Sequence, residues 1–278
     1  MKGREKDATI RLLLPSDIDI KGAIGLTRAA AWNQLPGDWK RLLALEPEGC
    51  LTLESGGRMA ATTTVVCYGR KLAWVGMVLT APEFRRRGFA ESLIERAMQL
   101  VERRGIQTVK LDATEAGNGL YRKFGFVEEC EVQRWQRAPG PVETGEILSY
   151  RPDPVYDRAK FGADRAALLE QLAELGAASF PGEGYAMGRP GFSAAYFGPC
   201  VANSPAAARR LLGWFLGEHA GEHVFWDLFP ANTEAVTIAR QFGFVPVRHL
   251  VRMVLCRSRT RPMANPAEVF AIAGFELG

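Results

Sequence analysis

The tetrapeptide Phe124-Gly125-Phe126-Val127 returns as Phe242-Gly243-Phe244-Val245, 118 positions later in a chain of 278 residues. The surroundings return with it. Ahead of the first copy, Leu93, Ala97, Leu100 and Val101 fall on one face of a helix running from about Gly88 to Arg104, and the i, i+4 and i+7 spacing is that of a helix with one buried side. Gly105 ends it. A strand over 107–113, a short helix over 117–124 and a strand over 126–137 complete the unit. Shifted by 118, Leu93-Ile94 lands on Leu211-Leu212 in a second amphipathic helix, followed by a strand over 222–229 and a short helix over 233–241. A repeat of this length predicts two copies of one domain, the second shorter at its start. Between them Pro139, Gly140, Pro141, Pro152 and Pro154 read as a linker. The expected division is 1–138, linker 139–154, and 155–278.

The first copy opens with a strand over 9–14, a helix capped by Ser16 or Asp17 and running toward Trp32, and a helix over 36–45. A hairpin follows, 50–54 and 59–68 around Gly56-Gly57, in which Thr62-Thr63-Thr64-Val65-Val66 is strongly β-prone. A strand over 72–79 comes next. Hairpin strands first, then strands alternating with helices, predict an α/β (α+β) fold: a mixed open sheet with helices on its faces. At 47% hydrophobic and 24% charged residues the chain can fill a core. A net charge of +4 without a basic stripe interleaved with aromatics argues against nucleic acid. The five cysteines are scattered with no CxxC, which suggests neither disulfides nor a metal site. His219 and His223 have helical i, i+4 spacing but no third ligand nearby, so no metal is expected. With no apolar leader and no run of ~18 apolar residues, the expected place is the cytoplasm, off the membrane, as a monomer or homodimer.

Chemistry concentrates at Arg85-Arg86-Arg87-Gly88-Phe89-Ala90. Three cations at a helix N-terminus oppose the helix dipole. They make sense if an anion is held there by the exposed amides, and a diphosphate fits. Gly88 allows close approach of the chain, and Ala90 leaves room. The alternative is a solvated basic patch with Gly88 as a turn residue.

The stretch Val78 to Ala90 resembles the signature of the GCN5-related N-acetyltransferase (GNAT) family, a strand, then [Gln/Arg]-x-x-Gly-x-[Gly/Ala], then a helix; Arg85, Gly88 and Ala90 fill the three defined places. Leu120-Tyr121-Arg122-Lys123-Phe124-Gly125-Phe126 is similar to the family's second motif, Tyr-x-x-x-Gly-Phe at a helix end. The resemblance covers about residues 8–137 and implies tandem GNAT-like domains, the second degenerate. It implies acetyl-CoA as co-substrate, with its pantetheine arm along Met77, Val78 and Leu79, its pyrophosphate on Arg85, Arg86, Arg87, Gly88, Phe89 and Ala90, and Asn118 and Tyr121 also at the cofactor. It makes Tyr121 the general acid. The carboxylate that many members carry on the strand before the loop is absent from Ala73–Leu79, so the base is sought in Asp112 and Glu115, with Glu54 a weaker choice. In the second copy the shifted loop reads Asn203-Ser204-Pro205-Ala206-Ala207-Ala208 and Tyr121 becomes Ala239, which predicts no acetyl transfer there. Gly188-Arg189-Pro190-Gly191 with Tyr185 is either a ligand contact or a hairpin turn. Residues 269–275 are expected to dock as a closing segment, and Arg259, Arg261 and Pro262 to lie in a loop. The expected activity is N-acetyl transfer to a small-molecule primary amine; the rivals are a protein or peptide N-acetyltransferase and a non-catalytic acyl-CoA-binding regulatory module.

Overall fold

A computed structural model describes residues 7–142, 153–257 and 267–278. The middle of the expected linker, 143–152, and the tail containing Arg259, Arg261 and Pro262 lie outside the described residues. The chain forms two compact units, Met1–Lys110 and Leu111–Gly278.

In the first unit β1 (Thr9–Leu12), β2 (Cys50–Ser55), β3 (Arg58–Tyr68) and β4 (Leu72–Thr80) make an antiparallel run in that order. The start of β5 (Thr108–Ala113) joins β4 in parallel, Leu72, Ala73 and Trp74 facing Thr108, Val109 and Lys110. Two helices, α1 (Asp17–Ala29) and α2 (Pro36–Leu45), intervene between β1 and β2. Ser16 is the cap of α1: its side chain accepts from the Asp19 amide, satisfying a donor that the helix itself cannot. The long α3 (Phe89–Arg103) turns Leu93, Ile94, Ala97 and Val101 wholly away from water. Burying each of the larger two is worth about 1.5–3 kcal/mol, and this stripe fixes which side of α3 faces the sheet. At its end Gly105 takes φ +62, a conformation glycine adopts without Cβ conflict, and the Arg104 guanidinium pairs with Glu46.

The second unit contains α4 (Glu115–Lys123), β6 (Val127–Arg137), α5 (Pro154–Phe161), α6 (Ala166–Ala173), β7 (Ala177–Phe180), β8 (Gly184–Arg189), β9 (Ala195–Ala202), α7 (Pro205–Glu218), β10 (Val224–Leu228), α8 (Thr233–Gln241), β11 (Val245–Cys256) and β12 (Val269–Ala271). Its sheet runs β11-β6-β10-β9-β8-β7, with β12 added on β9. β9 and β10 are parallel, as β4 and β5 are. The last strands of the two repeats, β6 and β11, lie side by side and antiparallel, from Val127 opposite Val254 to Gln136 opposite Val245. On its other edge β6 pairs with β10, Trp135 opposite Trp226. The core beneath is aromatic: Trp226 meets Phe197 and Phe244 edge-on at 5.5 and 5.4 Å between ring centres, and its indole N–H donates to the Phe270 carbonyl, so this buried polar atom is satisfied.

The two repeats differ where the sequence offset cannot show it. Eight residues, 81–88, join β4 to α3, whereas only Asn203 and Ser204 join β9 to α7. Pro205 to Ala208 do not replace the basic loop; they are helix, capped by Ser204. The second repeat has lost the loop outright. It also opens with two eight-residue helices, α5 and α6, in place of the longer α1 and α2.

Candidate functional site

β4 is regular up to Gly76 and then breaks step. Thr64 faces Gly76 but Thr62 faces Leu79, so β4 holds one more residue than β3 over this stretch. The bulge centres on Met77, whose φ is +50 and whose side chain is 1% exposed. A left-handed conformation costs a non-glycine residue about 1–2 kcal/mol. The carbonyls on either side are tied down: the Thr62 hydroxyl donates to the Met77 oxygen at 2.9 Å and the Thr63 hydroxyl to the Gly76 oxygen at 3.4 Å. Because a trans peptide points its N–H opposite to its C=O, the Val78 N–H is directed away from Thr62. Met77 and Val78 are among the residues that the family resemblance places at the cofactor, whereas Thr62 and Thr63 carry no signal in the sequence beyond their β-propensity. Among the described residues the parallel ladder from β4 to β5 stops at Trp74.

The basic loop follows. A single 3-10 turn, Pro82–Phe84, buries Phe84 against Phe89 at 6.0 Å. Arg86 has φ +63 and Gly88 φ +83. A Cβ at Gly88 would meet nothing within 4 Å, so glycine is needed there for its backbone angle, and the space beside it is open. Gly88 is the N-cap of α3 and offers no side-chain bond, which leaves the first amides of α3 to another acceptor. The three arginines are exposed. Arg85 donates to the Thr80 carbonyl, and Arg87 donates to the Glu83 carbonyl and stacks on Phe84 at 5.1 Å.

Tyr121 lies in the second unit, on α4, 7% exposed, edge-on to Phe126 at 6.1 Å. Burial pushes its phenol well above the usual tyrosine range. Gly117, one turn earlier, makes room for the ring: a Cβ there would lie 3.0 Å from Tyr121 Cε2. α4 begins at Glu115, two residues before the expected start, after Thr114 as N-cap.

The carboxylate candidates separate. Asp112, expected as a base, is instead gripped by Arg252: Nε to Oδ1 at 2.8 Å and Nη2 to Oδ2 at 2.9 Å, with the Asp112 side chain fully buried. The guanidinium fork occupies both carboxylate oxygens, a different setting from the open carboxylate expected of a base. Glu54 is bound by Arg11, which also holds Asp19. Glu115 is exposed in the first turn of α4. Asn118, expected at the cofactor, donates to Glu128 at 3.0 Å and accepts from Arg122 at 2.9 Å. These two neighbours, Asn118 first, hold the Glu128 carboxyl below its ordinary range.

Elsewhere in the second unit Tyr185 and Arg189 are buried while Pro190 is exposed. Arg189 pairs with buried Glu276 and donates to the Ala273 carbonyl, and the Tyr185 hydroxyl donates to Asp157. β12 docks the closing segment on β9 as expected. His219 caps α7 and bonds Glu222, while His223 bonds Gln136. Among the described residues no cluster suits a metal ion, and no helix is long and apolar enough to cross a membrane.

Two family models match the chain: the acetyltransferase (GNAT) family over residues 25–126 and an acetyltransferase (GNAT) domain over 154–266. The chain is 26% identical over 276 residues to a holothin acyltransferase of Pseudoalteromonas sp. (strain SANK 73390), covering 90% of this chain and 88% of that one. A candidate acetyltransferase from Pyrococcus horikoshii superposes with a TM-score of 0.85 at 23% identity, covering 99% and 97% of the two chains. A tandem GNAT protein from the clavulanic acid biosynthesis pathway superposes at 0.65 and 15% identity, covering 92% and 100%. Two matched domains, the tandem fold and an acyltransferase relative agree with the bulged strand and the uncapped helix: the chain belongs to the GCN5-related N-acetyltransferase family, as a tandem of two such domains.

Proposed function

We propose that this chain moves an acetyl group from acetyl-CoA to the primary amine of a small molecule, by direct attack of the amine on the thioester in a ternary complex. The observation that carries the reading is the bulge at Met77, a strained, buried residue with both flanking carbonyls held by threonines. Strain of this kind persists where the surrounding structure over-determines it and where function uses it. The fit to acetyl-CoA rests on the open space beside Gly88 and the uncapped amides of α3. Arg85 to Ala90 take the pyrophosphate, and Met77, Val78 and Leu79 take the pantetheine arm. The Val78 N–H supports the oxyanion as the C–N bond forms. As the C–S bond breaks, Tyr121 gives its phenolic proton to the sulfur and is reprotonated from water. The proton lost by the amine passes through water to Glu115. Asp112 has no part in proton transfer. The second repeat, without the loop and with Ala239 in place of tyrosine, turns over nothing.

The holothin acyltransferase relative supports a small-molecule acceptor. The test is CoA release from acetyl-CoA across a panel of small amines and peptides, with calorimetry of CoA binding beside it. Turnover on small amines is expected. Turnover on peptide N-termini alone would replace the acceptor class, binding without turnover on any amine would make the chain a regulatory module, and no association with CoA would end the reading.

A further inference from the structure

The grip of Arg252 on Asp112 has a counterpart. Arg134 holds Asp227 in the same way, Nε to Oδ1 and Nη2 to Oδ2, both at 2.7 Å, with Asp227 fully buried. The arginines stand at equivalent places in β6 and β11, 118 positions apart at 134 and 252, which is the spacing of the Phe-Gly-Phe-Val repeat. The aspartates stand near the ends of β5 and β10, the second strand of each parallel pair. Each arginine belongs to one repeat and its aspartate to the other, so the pairs are crossed. Each guanidinium also lies over aromatic rings, Arg252 at 4.8 Å from Phe229, Arg134 at 4.8 and 4.6 Å from Phe225 and Phe275.

We infer that Asp112 and Arg252 are positioning residues that fix the turn from β5 into α4, the helix bearing Tyr121, and that Asp227 and Arg134 fix the matching turn from β10 into α8. A bidentate fork sets orientation as well as distance, and each aspartate sits just ahead of its helix, two residues before the Thr114 cap and five before the Asn232 cap. Thr114 makes no side-chain capping bond, whereas Asn232 accepts from the Ala235 amide. The entry to α4 therefore leans more on its clamp. The second repeat supplies the control: it has lost the basic loop and the tyrosine yet keeps the pair, so the pair is retained for geometry and not for proton transfer.

The test uses the full chain with each pair replaced by apolar residues, Asp112→Leu with Arg252→Met, and Asp227→Leu with Arg134→Met, because well-packed apolar substitutes for a buried ion pair are commonly tolerated. Amide hydrogen exchange read by mass spectrometry is expected to quicken at least tenfold in α4 for the first double variant and in α8 for the second, the other helix staying within twofold. The kinetic arm rests on the reading of Tyr121: kcat falls at least tenfold in the first variant with KM for acetyl-CoA within threefold, and stays within twofold in the second. Unchanged exchange in α4, or both variants loosening both helices alike, overturns the inference. If the parent protein transfers no acetyl group, the reading of Tyr121 falls and exchange alone decides the clamp. If a double variant does not fold, Arg252→Lys and Arg134→Lys, which keep the charge but lose the fork, are judged by the same exchange criteria.

Discussion

Two glycines two residues apart in α4 give a matched pair of substitutions. Glycine in a helix interior is about 1 kcal/mol worse than alanine. At Gly119 an added methyl meets nothing within 4 Å, so Gly119→Ala keeps the whole gain, about 2 °C in Tm for a chain of this size. At Gly117 the methyl lands 3.0 Å from Tyr121 Cε2, inside the 3.5–4.0 Å at which carbon atoms rest. The ring must give by a few tenths of an ångström, and turning it off its rotamer costs about 0.5–1.5 kcal/mol, which offsets the propensity gain. A misplacement of about 1 Å can cost a hundredfold in rate, so a smaller one costs less. Gly117→Ala is therefore expected to leave Tm near the parent value and to cut kcat about three- to tenfold with KM for acetyl-CoA within twofold. Gly119→Ala raises Tm and leaves kcat alone. Scanning calorimetry and steady-state kinetics on both proteins decide it. Should Gly117→Ala gain as much Tm as Gly119→Ala and keep full kcat, the ring of Tyr121 is not where the reasoning needs it.

Tyr121→Phe is expected to lower kcat about a hundredfold with little change in acetyl-CoA affinity. Burial raises the Tyr121 pKa above its usual value; an acid with a raised pKa stays protonated to higher pH, so no decline in kcat between pH 7 and 10 belongs to it. A fall near pH 8.5 that disappears in the phenylalanine variant would contradict this. Gly88→Ala places a Cβ on a residue with φ +83 at a cost of about 1–2 kcal/mol, which predicts roughly tenfold weaker CoA binding by calorimetry; unchanged affinity would mean the loop binds in another conformation. Burial pushes the Cys50 and Cys67 thiols up to about 12, so both should resist iodoacetamide at pH 8 in the native protein. Fast alkylation of either, located by mass spectrometry, would contradict their environment.

What the sequence made legible was what repeats or alternates. The stripe on α3, the hairpin around Gly56-Gly57 and the α8 boundaries follow from periodicity and turn chemistry over a few residues. The bulge did not, because Ala73 to Leu79 contains one glycine, Gly76, and the left-handed residue is its neighbour Met77. The pattern gives no sign of a strain that two threonines on the adjoining strand sustain. The fate of Asp112 was hidden for a different reason: its partner is 140 positions away, and only the folded chain brings them together. A constant offset of 118 also concealed a deletion, since loop residues aligned in number with helix residues in fact. Tyr121 stands out in the sequence by its motif, while its closeness to Gly117 arises from ring packing that spacing alone does not encode.

The adjacency of β6 and β11 bears on how such a protein can evolve. An idle duplicate is normally free to decay until it is lost. Here the second repeat lends a cation, Arg252, to an acid buried just ahead of α4 in the first, so losing that guanidinium while β11 stays in place would strand a negative charge in the interior, a defect of about 3–5 kcal/mol. The second repeat can do without the basic loop, but position 252 is not free to drift as long as Asp112 stays beneath it.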